Sequence, residues 1–139
     1  MIQRKQSLWL LLSVIVTSLS IKYPFFTGNI LGVGGTKNYQ VLNGQLNLVI
    51  MILSIVIASF SLFIIFLYKE RKRQMLFTFI SILLSLLLIF LYYKQTQLFF
   101  DGTLSITSVL VLIIPVSLIF ALIGIFNDEK LIKSVDRIR

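Results

Sequence analysis

The chain contains no cysteine and no histidine, and only five acidic residues. No disulfide can form, and the usual Cys/His metal sites have no ligands. There is no imidazole to serve as a general base. Membrane thiol oxidoreductases need cysteines, intramembrane metalloproteases need His ligands, and rhomboid-like proteases need a Ser–His pair. All are missing. Aspartyl intramembrane proteases need two Asp within spans, and no apolar run here contains one. A Ser–Lys dyad such as Lys94 with Ser105 has nothing local to activate it, and Lys94 reads better as a snorkelling anchor. The sequence is therefore read as non-enzymatic, with no catalytic residue, cofactor or metal.

Charge is also scarce. Charged residues make up 13% of the 139 residues and hydrophobic residues 58%, with mean hydropathy +0.98. A soluble domain is nearer half apolar and about a quarter charged. A chain of 15.9 kDa has too little interior to hide such an excess, so the surplus must face lipid. A spanning helix needs about 20 mostly apolar residues. Residues 7–26, 46–68, 75–93 and 104–126 meet that test. The run 50–67 carries three serines and no charge, and is too long for a strand. The expected fold is all-α: a polytopic membrane protein built as one four-helix transmembrane bundle. The first span also has features of a signal peptide, with Arg4 and Lys5 ahead of an apolar run and Ser18-Leu19-Ser20 as a weak cleavage pattern. The apolar run continuing to Phe26, with Pro24 as its exit, favours an uncleaved span.

The basic residues sort by side. Arg4, Lys5, Lys69, Arg71, Lys72, Arg73, Lys130, Lys133, Arg137 and Arg139, ten of the thirteen, fall on one side; Lys22, Lys37 and Lys94 fall on the other. The positive-inside rule places both termini and the 69–73 connection in the cytoplasm. The net charge of +8 is thus a topology signal. Basic residues scattered at membrane boundaries do not make a nucleic-acid surface. Outside, residues 27–45 form a glycine-rich loop. Gly34-Gly35 is a turn signal, with Ile30–Val33 and Tyr39–Leu42 as candidate hairpin strands. Gly28 and Gly32 form a GxxxG in this loop and carry no helix-packing weight. The second outer loop is short, with Asp101-Gly102 read as a turn.

Each span carries small or hydroxyl residues on one helical face: Ser13, Thr17 and Ser20; Ser54, Ala58 and Ser61; Thr78, Ser81 and Ser85; Ser117, Ala121 and Gly124. Such faces allow close helix approach, and hydroxyls can bond across helices for about 0.6 kcal/mol each. Packing is the simple reading of these faces, and a weakly polar lumen is the alternative. No Asp, Glu, Lys, Arg or His lies mid-span, where ion-coupled carriers and proton relays need one. Small multidrug transporters also have four spans but depend on an intramembrane glutamate. Pro115 is read as a kink in the fourth span.

The C-terminal segment 127–139 is amphipathic. Asn127 can cap a new helix with Asp128 and Glu129 in its first turn, and Leu131, Val135 and Ile138 recur at helical spacing. Continuation of the fourth span into the cytosol is the alternative. Arg4, Lys69, Arg71, Lys72, Arg73, Asp128, Glu129, Lys130, Lys133, Asp136, Arg137 and Arg139 are the candidate contacts. They would meet a membrane-protein partner or the anionic lipid of the inner leaflet.

Three segments carry a family resemblance: the opening Met1-Ile2-Gln3-Arg4-Lys5-Gln6-Ser7-Leu8, the connection Leu67-Tyr68-Lys69-Glu70-Arg71-Lys72-Arg73-Gln74, and the ending from Asp128-Glu129-Lys130-Leu131 to Asp136-Arg137-Ile138-Arg139. They resemble a family of small four-span membrane proteins of Bacteroidota known only as a domain of unknown function. Lys5 departs from that pattern, standing where an apolar residue is expected. The resemblance implies a bacterial inner-membrane location and brings no activity, cofactor or site residue. The expected role is an accessory or assembly subunit of a membrane complex; the alternative is a pore or carrier for a small neutral solute or lipid.

Overall fold

The computed structural model describes residues 5–31, 36–68 and 70–136. It contains four helices, α1 (Lys5–Lys22), α2 (Leu48–Phe66), α3 (Arg71–Thr96) and α4 (Val109–Asp136). It also contains three strands, β1 (Phe26–Leu31), β2 (Lys37–Leu42) and β3 (Asp101–Leu104). The protein is mostly helical, but a small sheet corrects the all-α expectation.

The helix ends have local causes. Pro24 pushes the residue before it out of the helical region, so α1 stops at Lys22. The helix ends four residues before the expected span does, and Phe26 already belongs to β1. Asn47 starts α2: its backbone is extended and its side chain accepts the Val49 N–H at 2.9 Å. The third helix runs beyond residues 75–93 at both ends, because Arg, Lys and Gln favour a helix as much as most apolar residues do. The fourth starts later than expected, since Leu104 is taken up by β3 and Ile106–Ser108 form a 3-10 turn. At its other end α4 passes through Asn127, so Asn127 caps no new helix. No Gly or Pro interrupts residues 125–136, and the continuation into one long helix is what forms.

The sheet has the order β2-β1-β3, antiparallel throughout. In the hairpin Phe26 pairs Leu42 and Leu31 pairs Lys37, so its first strand begins four residues ahead of the expected Ile30. Val33 and the Gly34-Gly35 turn lie outside the described residues. Asp101-Gly102, expected as a turn, instead opens β3, with Asn29 opposite Asp101 and Gly28 opposite Gly102. A Cβ on Gly28 would run into the Asp101 carbonyl oxygen and sit 2.8 Å from the Gly102 Cα. These two glycines permit a close strand approach.

The helices pack as neighbours around a ring: α1 against α2 and α4, and α3 against the same two. Leu10, Ile50, Ile57, Leu88, Ile114 and Leu118 are buried inside. Leu11, Ile15, Ile55, Phe63, Leu83, Leu86, Leu112 and Ile119 are exposed on the outward faces of all four helices. Apolar surface on this scale is unsustainable in water and is ordinary in lipid. The sheet closes one end, where Phe25 stacks on Tyr92 at 4.6 Å and Phe26 meets Phe99 edge-on at 5.3 Å.

Candidate functional site

The candidate site lies at the opposite, basic end. Three contacts define it. The Gln74 Nε2 of α3 donates to the Ile64 carbonyl of α2 at 3.2 Å. Arg71, one turn before Gln74, faces Asp128 of α4 at 3.7 Å. Gly124, one turn before Asp128, lies so close to α1 that an added Cβ would be 3.2 Å from the Gln6 Cβ. Residues three or four apart share a helix face, about one 5.4 Å turn apart. Ser61, one turn before Ile64 on the same buried face, therefore joins this level.

Four buried side-chain atoms at this end have no hydrogen-bond partner: Gln6 Oε1, Ser61 Oγ, Gln74 Oε1 and Arg71 Nη1. Ser61 is fully buried, Gln74 is 1% exposed and Gln6 is 8% exposed. An unpaired polar group in such a place costs about 1–3 kcal/mol, and a native structure holds few of them. Among the described residues these are the buried polar atoms left unpaired, and all of them sit at one end.

The inward hydroxyls elsewhere behave differently. Ser13, Thr17, Ser20, Ser54, Thr78, Ser81, Ser85, Ser117 and Ala121 are buried, and Ala58 and Gly124 partly so. Ser13 donates to the Leu10 carbonyl, Thr17 to Ser13, Ser20 to Thr17 and Ser54 to Ile50. Thr78 donates to Gln74, Ser81 to Phe77, Ser85 to Ile82 and Ser117 to Ile114. Each proton is returned to its own helix and none reaches a neighbour. Ser61 is the exception, and it lies at the basic end.

Of the charged candidates, the structure joins Arg71 to Asp128 across two helices and Glu70 to Arg73 at 2.8 Å within one turn. Lys72 and Lys130 are exposed, and Glu129 is half-buried. The α4 backbone passes through Lys133 and Asp136, whose side chains lie outside the description. Arg4, Lys69, Arg137 and Arg139 lie outside the described residues. Among the described residues no group of three or more acidic, His or Cys side chains gathers as a metal site. Gln6 and Gln74 were missed from sequence because each stands one residue ahead of an expected span and was counted as boundary.

Among the described residues the other end has no such unpaired atom. Asn47 Nδ2 donates to Gln95 Oε1 at 3.2 Å, and the Tyr92 hydroxyl reaches the Ser20 carbonyl at 3.4 Å. The Thr107 hydroxyl bonds the Pro24 carbonyl, and Lys37 faces Asp101 at 3.7 Å. Lys94 lies with its ammonium 5.6 Å from the Phe90 ring centre.

Three of the helices are long and apolar enough to cross a bilayer, which is the mark of a membrane protein; α1 is shorter. Residues 2–138 match the family described as "Domain of unknown function (DUF4293)", and the chain belongs to that family. No curated protein and no solved structure matches it.

Proposed function

We propose that this chain is a four-span protein of a bacterial inner membrane that acts, without catalysis, as an accessory or assembly subunit of a larger membrane complex. In this reading α1 is the fourth span: its 18 residues reach about 27 Å, close to the hydrocarbon thickness. Both termini and the basic end face the cytoplasm, as the lysine and arginine bias requires. The observation that carries the reading is the spent interior. The inward hydroxyls other than Ser61 return their protons to their own helices, and the sequence has no mid-span charge, so the surfaces left for recognition are the outward apolar faces and the basic end. The carrier reading would need those hydroxyls to line a path, and it loses support for that reason. The Glu70, Arg71, Arg73 and Asp128 cluster supplies a mixed-charge cytoplasmic platform for a partner.

Copurification in mild detergent after crosslinking, with mass spectrometry, is the direct test. The expected result is a reproducible membrane-protein partner, and recovery only as a lone monomer overturns the reading. Orientation is read separately in the cysteine-free chain. Asn38→Cys should label with an impermeant thiol reagent from outside, and Lys72→Cys only after permeabilisation. Lys72 is the better inner reporter than Arg71, because it is exposed and unlike Arg71 has no role in the α3–α4 contact.

A further inference from the structure

Among the described residues two helical serines face outward, Ser18 of α1 and Ser59 of α2, and they differ. The Ser18 hydroxyl donates to the Val14 carbonyl at 2.8 Å, the usual way for a serine in a span to satisfy itself. Ser59 makes no hydrogen bond with the described residues. It lies 11 residues from Leu48 and seven from Phe66, so about 17 Å and about 11 Å from the two ends of α2. A serine is too short to carry its hydroxyl from that depth to either membrane surface.

Ser59 stands in the outward seam Leu48, Ile52, Ile55, Ser59, Leu62 and Phe66, in steps of four and three residues. Such a 3.5-residue repeat suits a left-handed crossing with another helix, and it suits lipid equally well. The hydroxyl separates the two, since hydrocarbon offers it no partner and a facing helix can. Of the three long apolar helices, α2 is also the least covered: 28% of its most apolar stretch is buried, against 33% for α3 and 39% for the segment containing α4.

We propose that α2 pairs with α2 of a second copy of this chain, the two Ser59 hydroxyls bonding across a two-fold axis. Copies inserted with one orientation are related by an axis normal to the membrane. Their helices then run parallel, and each seam residue meets its own counterpart at the same depth. A hydroxyl is donor and acceptor at once, so identical serines satisfy one another. An unrelated helix must happen to place a polar group at that depth, whereas a second copy always does. The seam carries no charge, so self-pairing brings no like charges together. One polar residue in an apolar seam also fixes its register. This pairing rests on the membrane placement given above and leaves the basic end to the larger complex.

The cysteine-free chain makes the test direct. In native membranes treated with a mild oxidant, Ser59→Cys, Ile52→Cys and Ile55→Cys should each give a disulfide-linked dimer. Ile15→Cys, Leu83→Cys and Leu112→Cys, outward on the other three helices, should stay monomeric. Self-association of the full chain is then read by energy transfer in liposomes over a range of protein-to-lipid ratios. Ser59→Ala should weaken it about threefold, the size of one average hydroxyl bond between membrane helices. Ser59→Thr, which keeps the hydroxyl, should restore it, and Ser18→Ala should leave it unchanged. Absence of a Ser59→Cys dimer, equal linkage at the three control positions, or undiminished association of Ser59→Ala overturns the proposal. Linkage of Ser59→Cys chiefly to a different protein overturns the assignment to a second copy. A chain that copurifies with other membrane proteins yet gives no linked dimer loses this inference alone, and one that links only to itself loses the larger complex alone.

Discussion

The two ends of the helix ring are built on opposite terms. At the sheet end, polar groups are paired across elements and aromatic rings fill the space: Phe25 on Tyr92, Asn47 with Gln95, Thr107 with Pro24. At the basic end, Gln6, Ser61 and Gln74 are as deeply buried and keep unpaired oxygens. One end is optimised for closure. The other keeps buried oxygens unpaired, each at a cost of about 1–3 kcal/mol. Similar burial therefore means different things at the two ends, and the hydrogen-bond inventory separates them.

Substitutions should break this contrast in a graded order. The largest effect is expected from Tyr92→Ala, which empties the fully buried site beneath Phe25 and should cost about 3–5 kcal/mol in reversible detergent unfolding. Unchanged stability would mean that the sheet does not seal this end. Next, Asn47→Ala removes both the cap on Val49 and the bond to Gln95, for a loss of about 1–2 kcal/mol in the same assay. Gln74→Leu should go the other way. It deletes an unpaired oxygen, and the Ile64 carbonyl keeps the Leu67 N–H at 3.2 Å, so stability should hold or rise by about 1 kcal/mol. A loss of several kcal/mol there would show that the basic end is a structural network like its counterpart. The smallest change is expected from Asp128→Asn, about 0.5 kcal/mol, because the Arg71 pair is long and partly solvated. An effect above about 2 kcal/mol would place that pair in a buried network.

Some of this was legible in the chain and some was not. Apolar runs marked where helices form, because lipid exposure demands composition and length and nothing more local. Helical spacing put Ser13, Thr17 and Ser20 on one face, and the structure buries that face. Pro24 marked the end of α1. Asp101-Gly102 misled, since a glycine demanded by a distant strand looks the same as a glycine demanded by a turn. Asn127 misled in a similar way: a capping residue is also an acceptable helix interior when nothing breaks the chain. Gln6 and Gln74 stood in plain view at the edges of apolar runs. Their importance depends on whether a donor lies within reach, and reach is set by helices far apart in sequence.

Composition and period thus decided that this chain is mostly helical, apolar outside and without cysteine or histidine. These properties are sums over local choices and need no knowledge of which segments meet. The antiparallel pairing of residues 26–29 with 101–104, and the burial of Gln6, Ser61 and Gln74 with unpaired oxygens, belong to the folded state. They arise from contacts between segments tens of residues apart, which decide whether a buried polar group meets a partner.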